Sequence, residues 1–276
     1  MSGLPLLAVA ATPDAASLQG PAGVFAVVLL EIALGSLVLV WLTPVWGVVK
    51  RGFFVLMAST VATCALLALL SANGGLSRTD GGGSARLALA AFTMASAGFL
   101  VALLAKRLPV ARAVGLVAVP LGVWALVAVA ALRGDLGDTL RGTVAMLCGA
   151  VFLGATWHGM VLGHWYLVDR KLSVRPMQVA SYAFTASVAL ALVSAVVGRG
   201  ERPSDKSALQ TSALLLVNDM ELYLAIGLVA VCALLAFFVH KLVAEGSVRA
   251  ATGMLYLAVI LAFSAEFAAK VYFFSV

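Results

Sequence analysis

The sequence predicts an all-α polytopic integral membrane protein, a bundle of eight transmembrane helices with both termini outside. Of its 276 residues, 63% are hydrophobic and 11% are charged, and the mean hydropathy is +1.10. Soluble domains are about half apolar and about a quarter charged, so this composition excludes soluble enzymes, disordered chains and fibrous proteins. The net charge of +6 comes from basic residues lying between apolar runs, where they indicate topology. We therefore expect no nucleic-acid partner.

Eight apolar runs are long enough to cross a bilayer, which takes about 20 residues as a helix. None of them alternates polar and apolar residues as a barrel strand would. We interpret residues 1–276 as one transmembrane domain whose helices cover about 25–49, 52–72, 86–105, 111–132, 142–168, 176–198, 213–240 and 250–274.

The basic residues set the predicted orientation. The connections after helices 1, 3, 5 and 7 carry ten Lys and Arg residues and two acids, whereas the opposite side carries eight basic residues and six acids over longer segments. Because basic loops stay on the cytoplasmic side, we expect the first set to be cytoplasmic. The protein is then a multi-pass protein of a bacterial-type inner (plasma) membrane.

Proline and small residues indicate how the helices pack. Pro176 lies at the first turn of helix 6, where its missing N–H costs nothing, and Pro120 predicts a kink in helix 4. On helix 5, Ala155, Gly159 and Gly163 recur every four residues and give a face for close backbone approach. We expect helix 5 to be central. The two halves of the sequence show no convincing repeat, which weighs against an inverted-repeat transporter.

Acids within the apolar runs are the most specific feature of the sequence, because each costs about 2.5 kcal/mol or more at the bilayer centre. Glu31, Asp219, Glu221 and Glu266 are all predicted in the outer half of the membrane, on three helices. Asp219 and Glu221 point to opposite sides of helix 7. We therefore expect Glu31, Glu221 and Glu266 to face inward, and Glu266 to pair with Lys270 near the outer surface. Such acids mark proton pathways or binding sites, although each could instead only fix helix packing.

Three histidines form the second group of candidates. His158 lies beside the small-residue face of helix 5, either as a satisfied interior side chain or as a proton donor or quinone partner. His164 and His240 lie at similar depths, so a haem b held by both is conceivable but not our expectation. His240 adjoins Lys241 and is better placed to reach the headgroups. We predict no metal site and no catalytic residue, since hydrolase, metalloprotease and P-loop motifs are missing.

Two segments resemble a known family. Leu30-Glu31-Ile32-Ala33-Leu34-Gly35-Ser36 in helix 1 and residues 264–274 at the close of helix 8 are similar to the membrane anchor subunits of respiratory iron–sulfur/molybdenum oxidoreductases, the NrfD, PsrC and DMSO reductase anchor group. This resemblance implies eight helices, outward termini, no redox centre of its own, and quinone bound between helices beside a partner's iron–sulfur cluster. One departure is Lys270, where the family pattern leads us to expect Arg.

These observations favour a non-catalytic, quinone-interacting membrane subunit of a multi-subunit respiratory electron-transfer complex, in which outer-leaflet carboxylates handle protons. We expect a subunit of an oxidoreductase complex rather than a stand-alone enzyme, with lipids and iron–sulfur, molybdopterin or cytochrome subunits as partners. Two alternatives stay open. One is a proton-coupled transporter or channel, and the other is a structural or assembly subunit of a membrane complex.

Overall fold

The computed structural model describes residues 21–77, 79, 81–133, 136–169, 171–197 and 220–275, and within these ranges the regular structure is helical throughout. Eight of the described helices are long and apolar enough to cross a membrane, which confirms the predicted fold class. In chain order they are α1 (Pro21–Leu42), α2 (Arg51–Leu76), α3 (Gly82–Leu104), α4 (Leu108–Ala130), α5 (Leu136–Val168), α6 (Arg175–Val197), α7 (Met220–Ala244) and α8 (Val248–Ser275).

Helix α1 ends at Leu42, and not at residue 49 as predicted. Pro44 explains the difference, because the residue before a proline is disfavoured in helical conformation and the proline ring clashes with the preceding turn. Residues 43–49 form turns instead. The predicted start of helix 7 at residue 213 lies outside the described residues, and the other predicted ends agree with the structure to within about six residues.

The helices form two rings of four. In the N-half, α1 packs on α2, α2 on α3, α3 on α4, and α4 returns to α1; α5 to α8 form the C-half in the same way. The halves meet mainly through α1 against α5, flanked by α1 against α8 and α4 against α5. If α1–α4 are exchanged with α5–α8, these same pairs of helices are in contact. This is the pattern expected for two similar units that are related by a rotation axis along the bundle.

Repetition is clearest in the hairpins α3–α4 and α7–α8, whose residues correspond at a spacing of 140. Lys106 and Gly246 both adopt positive φ at the turn, 59° and 77°. The amide of Arg107 donates to Ala102 O at 2.9 Å, and the corresponding amide of Ser247 donates to Leu242 O at 2.8 Å. Both halves begin at the same end of the bundle, so the repeat is parallel and not inverted.

Helices α1 and α5 occupy the centre. In the most apolar stretch of each helix, 89% of the residues of α1 and 67% of those of α5 are buried, against 44% or less in the other six. The two backbones approach closely at Gly35 and Gly154, where a Cβ on either residue would overlap the other helix. Helix α5 is therefore central, as predicted. It approaches α1 most closely at Gly154 and Ala150. The predicted stripe of small residues through Ala155, Gly159 and Gly163 is not the face used for this approach.

The connections α1–α2, α3–α4, α5–α6 and α7–α8 lie together at one end of the bundle, which we call the basic end. There the Lys50 Nζ lies 2.9 Å from Asp169 Oδ2, joining the start of α2 to the end of α5. The hydrogen bond from Lys50 holds the pKa of the Asp169 carboxyl below its usual value. Arg112 stacks on Trp46, 4.8 Å from the ring centroid. The Lys50–Asp169 ion pair joins the two halves at this end, and the Arg112–Trp46 contact lies within the N-half.

Candidate functional site: a buried ion triad

Three charged side chains meet in the interior where α1, α5 and α8 converge. Glu31, Glu266 and Lys270 are 0%, 2% and 1% exposed. The Lys270 Nζ donates to Glu266 Oε2 at 2.8 Å and lies 2.9 Å from Glu31 Oε1. We call Glu31, Glu266 and Lys270 the triad. It joins the N-half, through α1, to the C-half, through α8.

Helix geometry positions each member of the triad. Glu266 and Lys270 are four residues apart on α8, so their side chains share one face of that helix. Glu31 has ten residues of α1 before it and eleven after it, which places it midway along the helix. Gly149 of α5 provides the space, since a Cβ there would lie 2.7 Å from Glu266 Oε2 and 2.8 Å from Glu31 Oε1. The missing side chain of Gly149 is thus part of the site.

The charges of the triad do not balance when all three groups are ionised. Two carboxylates face one ammonium, which leaves a net charge of −1 among side chains that are almost wholly buried. An uncompensated charge in such surroundings costs several kcal/mol. One bound proton would make the group neutral. Glu31 Oε2 has no hydrogen-bond partner among the described residues, so this oxygen is free to carry that proton.

The other predicted acids lie outside the triad. Glu221 is in the first turn of α7, half-buried, and lines a groove of about 440 Å³ with Phe263 and Phe267. Asp219 lies outside the described residues. The predicted common depth in the outer half of the membrane stays a prediction; Glu31 is midway along α1, and Glu266 is about two-thirds of the way along α8. The predicted pair of Glu266 and Lys270 forms, and both side chains are buried inside the bundle.

Lys270 is a functional candidate that the sequence pattern does not single out. Its spacing from Glu266 predicts an ion pair, but its position near the end of the last apolar run predicts exposure. In the structure α8 continues to Ser275 and packs against α1 and α5. These contacts bury the ammonium between two carboxylates, which a single helix cannot reveal.

His158 forms a second polar site closer to the basic end. Its ring is fully buried, and Nε2 lies 3.0 Å from Thr43 Oγ1. The Thr43 hydroxyl donates its single hydrogen to Leu39 O at 2.6 Å. Thr43 therefore accepts from His158, which puts the ring hydrogen on Nε2 and leaves Nδ1 as an acceptor. This Nδ1 is buried with no partner in the part of the chain that the structure describes.

The remaining histidines are each engaged with a different tyrosine. His164 Nδ1 lies 2.9 Å from the Tyr256 hydroxyl on α8, and the His240 ring lies 5.0 Å from that of Tyr182 on α6. A haem b held by both histidines stays an untested alternative. Within the described ranges, no group of three or more His, Cys, Asp or Glu residues could hold a metal ion.

A cavity of about 310 Å³ lies between α1, α5 and α8, and no side chain of the triad lines it. Ile32 contributes from α1, and Ser264 contributes from α8, on the opposite side of that helix from Glu266. The lining is mainly apolar, and the Ser264 hydroxyl donates to Ile260 O of its own helix. Trp157, also in the lining, leaves its indole N–H without a partner among the residues described. This volume is at the lower end for small-molecule pockets, which run from about 300 to 1,000 Å³.

Comparison with protein-family models, curated proteins and solved structures finds no match to this chain.

Proposed function

We propose that this protein binds and releases a proton at the triad as part of its activity in the membrane. The observation that carries this proposal is the pairing of two buried carboxylates with one ammonium. Because a net charge is costly there, the resting triad holds one proton, and loss of that proton leaves a charged state that a partner or ligand can stabilise. Intramembrane acids generally mark such pathways or sites.

Infrared spectroscopy tests the proton directly. A protonated carboxylic acid has a C=O stretch that shifts in D₂O. We expect such a band in the purified protein at neutral pH, and we expect its loss in Glu31→Gln and in Glu266→Gln, because either change leaves one carboxylate for one ammonium. Glu245→Gln, an exposed acid at the basic end, is the matched control and should keep the band. A band that survives both interior substitutions would exclude the triad as its source.

The first specific form of this function is a quinone-interacting, non-catalytic membrane subunit of an electron-transfer complex. The cavity between α1, α5 and α8 supports it, because its mainly apolar lining suits a quinone ring. The protein chain would bind and orient the ring and exchange protons at the triad, while partner subunits carrying iron–sulfur, molybdopterin or cytochrome centres would supply the electrons.

Turnover of the native complex tests the quinone form. We would purify it in mild detergent with its partner subunits and measure quinol turnover in Glu31→Gln and Glu266→Gln. The proposal expects slower turnover in both, with Glu245→Gln unchanged. Unchanged rates in both interior variants would exclude proton handling by the triad during quinone chemistry.

The second form is a proton-coupled transporter, which is favoured by the location of the triad. Transporters built from two parallel repeats bind substrate and coupling ion between the repeats, near the middle of the membrane. Here Glu31 belongs to the N-half, whereas Glu266 and Lys270 belong to the C-half. A transporter works as a single gene product, so proton flux by the purified chain alone in liposomes, abolished by Glu31→Gln, would select this form over the quinone-linked subunit.

A further inference from the structure

Buried polar atoms without a partner are unevenly distributed in the bundle. Apart from Glu31, whose Oε2 is the unpartnered atom of the triad, the described side chains with such atoms all lie between the level of the triad and the basic end. They are Ser36, Trp41, Trp46, Ser96, Trp157, His158 and Trp165. Toward the opposite end, residues 21–30 of α1 are all apolar. Apart from Glu31, the unpartnered buried polar atoms of the described residues therefore lie on one side of the triad only, whereas buried polar side chains on the other side, such as Ser194, are hydrogen-bonded.

Two of these groups, Ser36 and His158, follow the central helices from Glu31 toward the basic end. Ser36 is five residues beyond Glu31, about 7.5 Å along the axis. Thr43, which holds His158, follows seven residues later, about 10 Å further on. Ser36 and Thr43 share one face of α1, because seven residues make nearly two turns. The free atoms are Glu31 Oε2, Ser36 Oγ and His158 Nδ1, in that order.

Protein interiors leave few such atoms unsatisfied. An unpartnered buried donor or acceptor costs about 1–3 kcal/mol, and most are bonded to protein or to ordered water. The described residues supply no partner for these three. The tight crossing of Gly35 and Gly154 lies beside them, so a partner must be small.

We propose that a file of water molecules enters from the basic end along α1 and α5, bound by His158 Nδ1 and Ser36 Oγ, and reaches the triad at Glu31 Oε2. The file gives the triad access to water from one side of the membrane only. This inference rests on the proposed function for its purpose, but the water file itself can be tested without any proton measurement.

Silver ions, which are small enough to follow water and which react with thiols, provide the probe. The background is a variant without the native cysteines, Cys64, Cys148 and Cys232. Single cysteines replace Ser36 inside the file and Val28, which is buried on the opposite side of the triad. Exposed positions Ser173 at the basic end and Ser84 at the other report which face of oriented proteoliposomes the silver reaches. Remaining thiol is measured by mass spectrometry after denaturation and alkylation.

We expect Ser36→Cys to lose its free thiol when silver is added on the side where Ser173→Cys reacts, and to keep it when silver is added on the side where Ser84→Cys reacts. Val28→Cys should resist silver from both sides. Protection of Ser36→Cys from both sides, or reaction from the wrong side, would overturn the proposal. Thr43→Cys is the second variant if Ser36→Cys does not fold, with the same expected sidedness. Failure of this test leaves the infrared test of the triad intact, so the two proposals can fail separately.

Discussion

Replacing Lys270 by Met should destabilise the protein by an amount that depends steeply on pH. Met has a similar length and no charge, so the substitution leaves two carboxyl groups facing each other in the interior. The group becomes neutral only when both carboxyls carry a proton, whereas the natural triad needs one proton. The unfolded chain holds neither proton at neutral pH.

The magnitude follows from this proton count. Protonating an ordinary Glu carboxyl at pH 7 costs about 3.7 kcal/mol, from a reference pKa near 4.3 and about 1.36 kcal/mol per pH unit. The Met variant needs one more proton than the natural protein, so we expect a loss of about 3.7 kcal/mol at pH 7, in the range of about 3–5 kcal/mol measured when one partner of a buried ion pair is removed.

The sign of the pH dependence is fixed by linkage. The folded state binds more protons than the unfolded state, so stability falls as pH rises. Per pH unit the slope is about 1.4 kcal/mol for the natural protein and about 2.8 kcal/mol for Lys270→Met. The triple variant Glu31→Gln, Glu266→Gln, Lys270→Met has no charge to balance and should show no slope from this site.

Reversible unfolding in mixed detergent micelles, followed by circular dichroism between pH 5 and pH 8, measures these slopes. Lys241→Met, an exposed lysine near the end of α7, is the matched control and should resemble the natural protein. A Lys270→Met variant with the stability and slope of Lys241→Met would refute the assignment of one bound proton to the triad.

Two further predictions concern the packing and the basic end. Gly154→Leu should prevent the close approach of α1 and α5 and lower the free energy of unfolding by about 1–3 kcal/mol or more through overpacking. Gly227→Leu is the control and should be tolerated, because there is open space around Gly227. Equal melting temperatures for the two variants would contradict the close crossing of α1 and α5. Lys50→Gln should raise the Asp169 pKa toward its ordinary value in a carbon-13 NMR titration, because it removes the hydrogen bond that lowers this pKa. Lys171→Gln should raise the Asp169 pKa less. The ion pair of Lys50 and Asp169 should stabilise the folded protein at pH values above the pKa of Asp169 in the unfolded chain, and this stability should be lost as the pH falls through the lower pKa of Asp169 in the folded protein.

The sequence predicted the helices well because the signal is local. Each run of about 20 apolar residues is readable on its own. The largest difference is at the end of α1, which stops seven residues early at a proline whose effect the pattern of hydrophobicity does not contain. The parallel repeat of the two halves was not visible, because Ala, Val and Leu replace one another freely on lipid-facing and buried positions. It is evident in the hydrogen bonds of the turns at Lys106 and Gly246.

The candidate site could be predicted only in part. Glu31 and Glu266 stood out as acids in apolar runs, and their burial agrees with that interpretation. Their meeting at Lys270 depends on the contact of the first helix with the last, which no local pattern reports. In the same way, His158 was recognisable as an interior histidine, but its partner Thr43 lies 115 residues away in the chain. Pairings across the bundle are set by packing, and the uniform apolar faces of these helices hide that packing.

The division of the triad between the two halves has a consequence for the synthesis of the protein. Glu31 enters the membrane with the first helix, and Lys270 follows it by 239 residues. Until α8 is inserted, Glu31 has no counter-charge from the triad, at a cost of a few kcal/mol in hydrocarbon. Docking of the last helix removes that cost. A chain interrupted before α8 would therefore keep an exposed, unpaired acid, which membrane quality-control proteases could distinguish from the finished molecule.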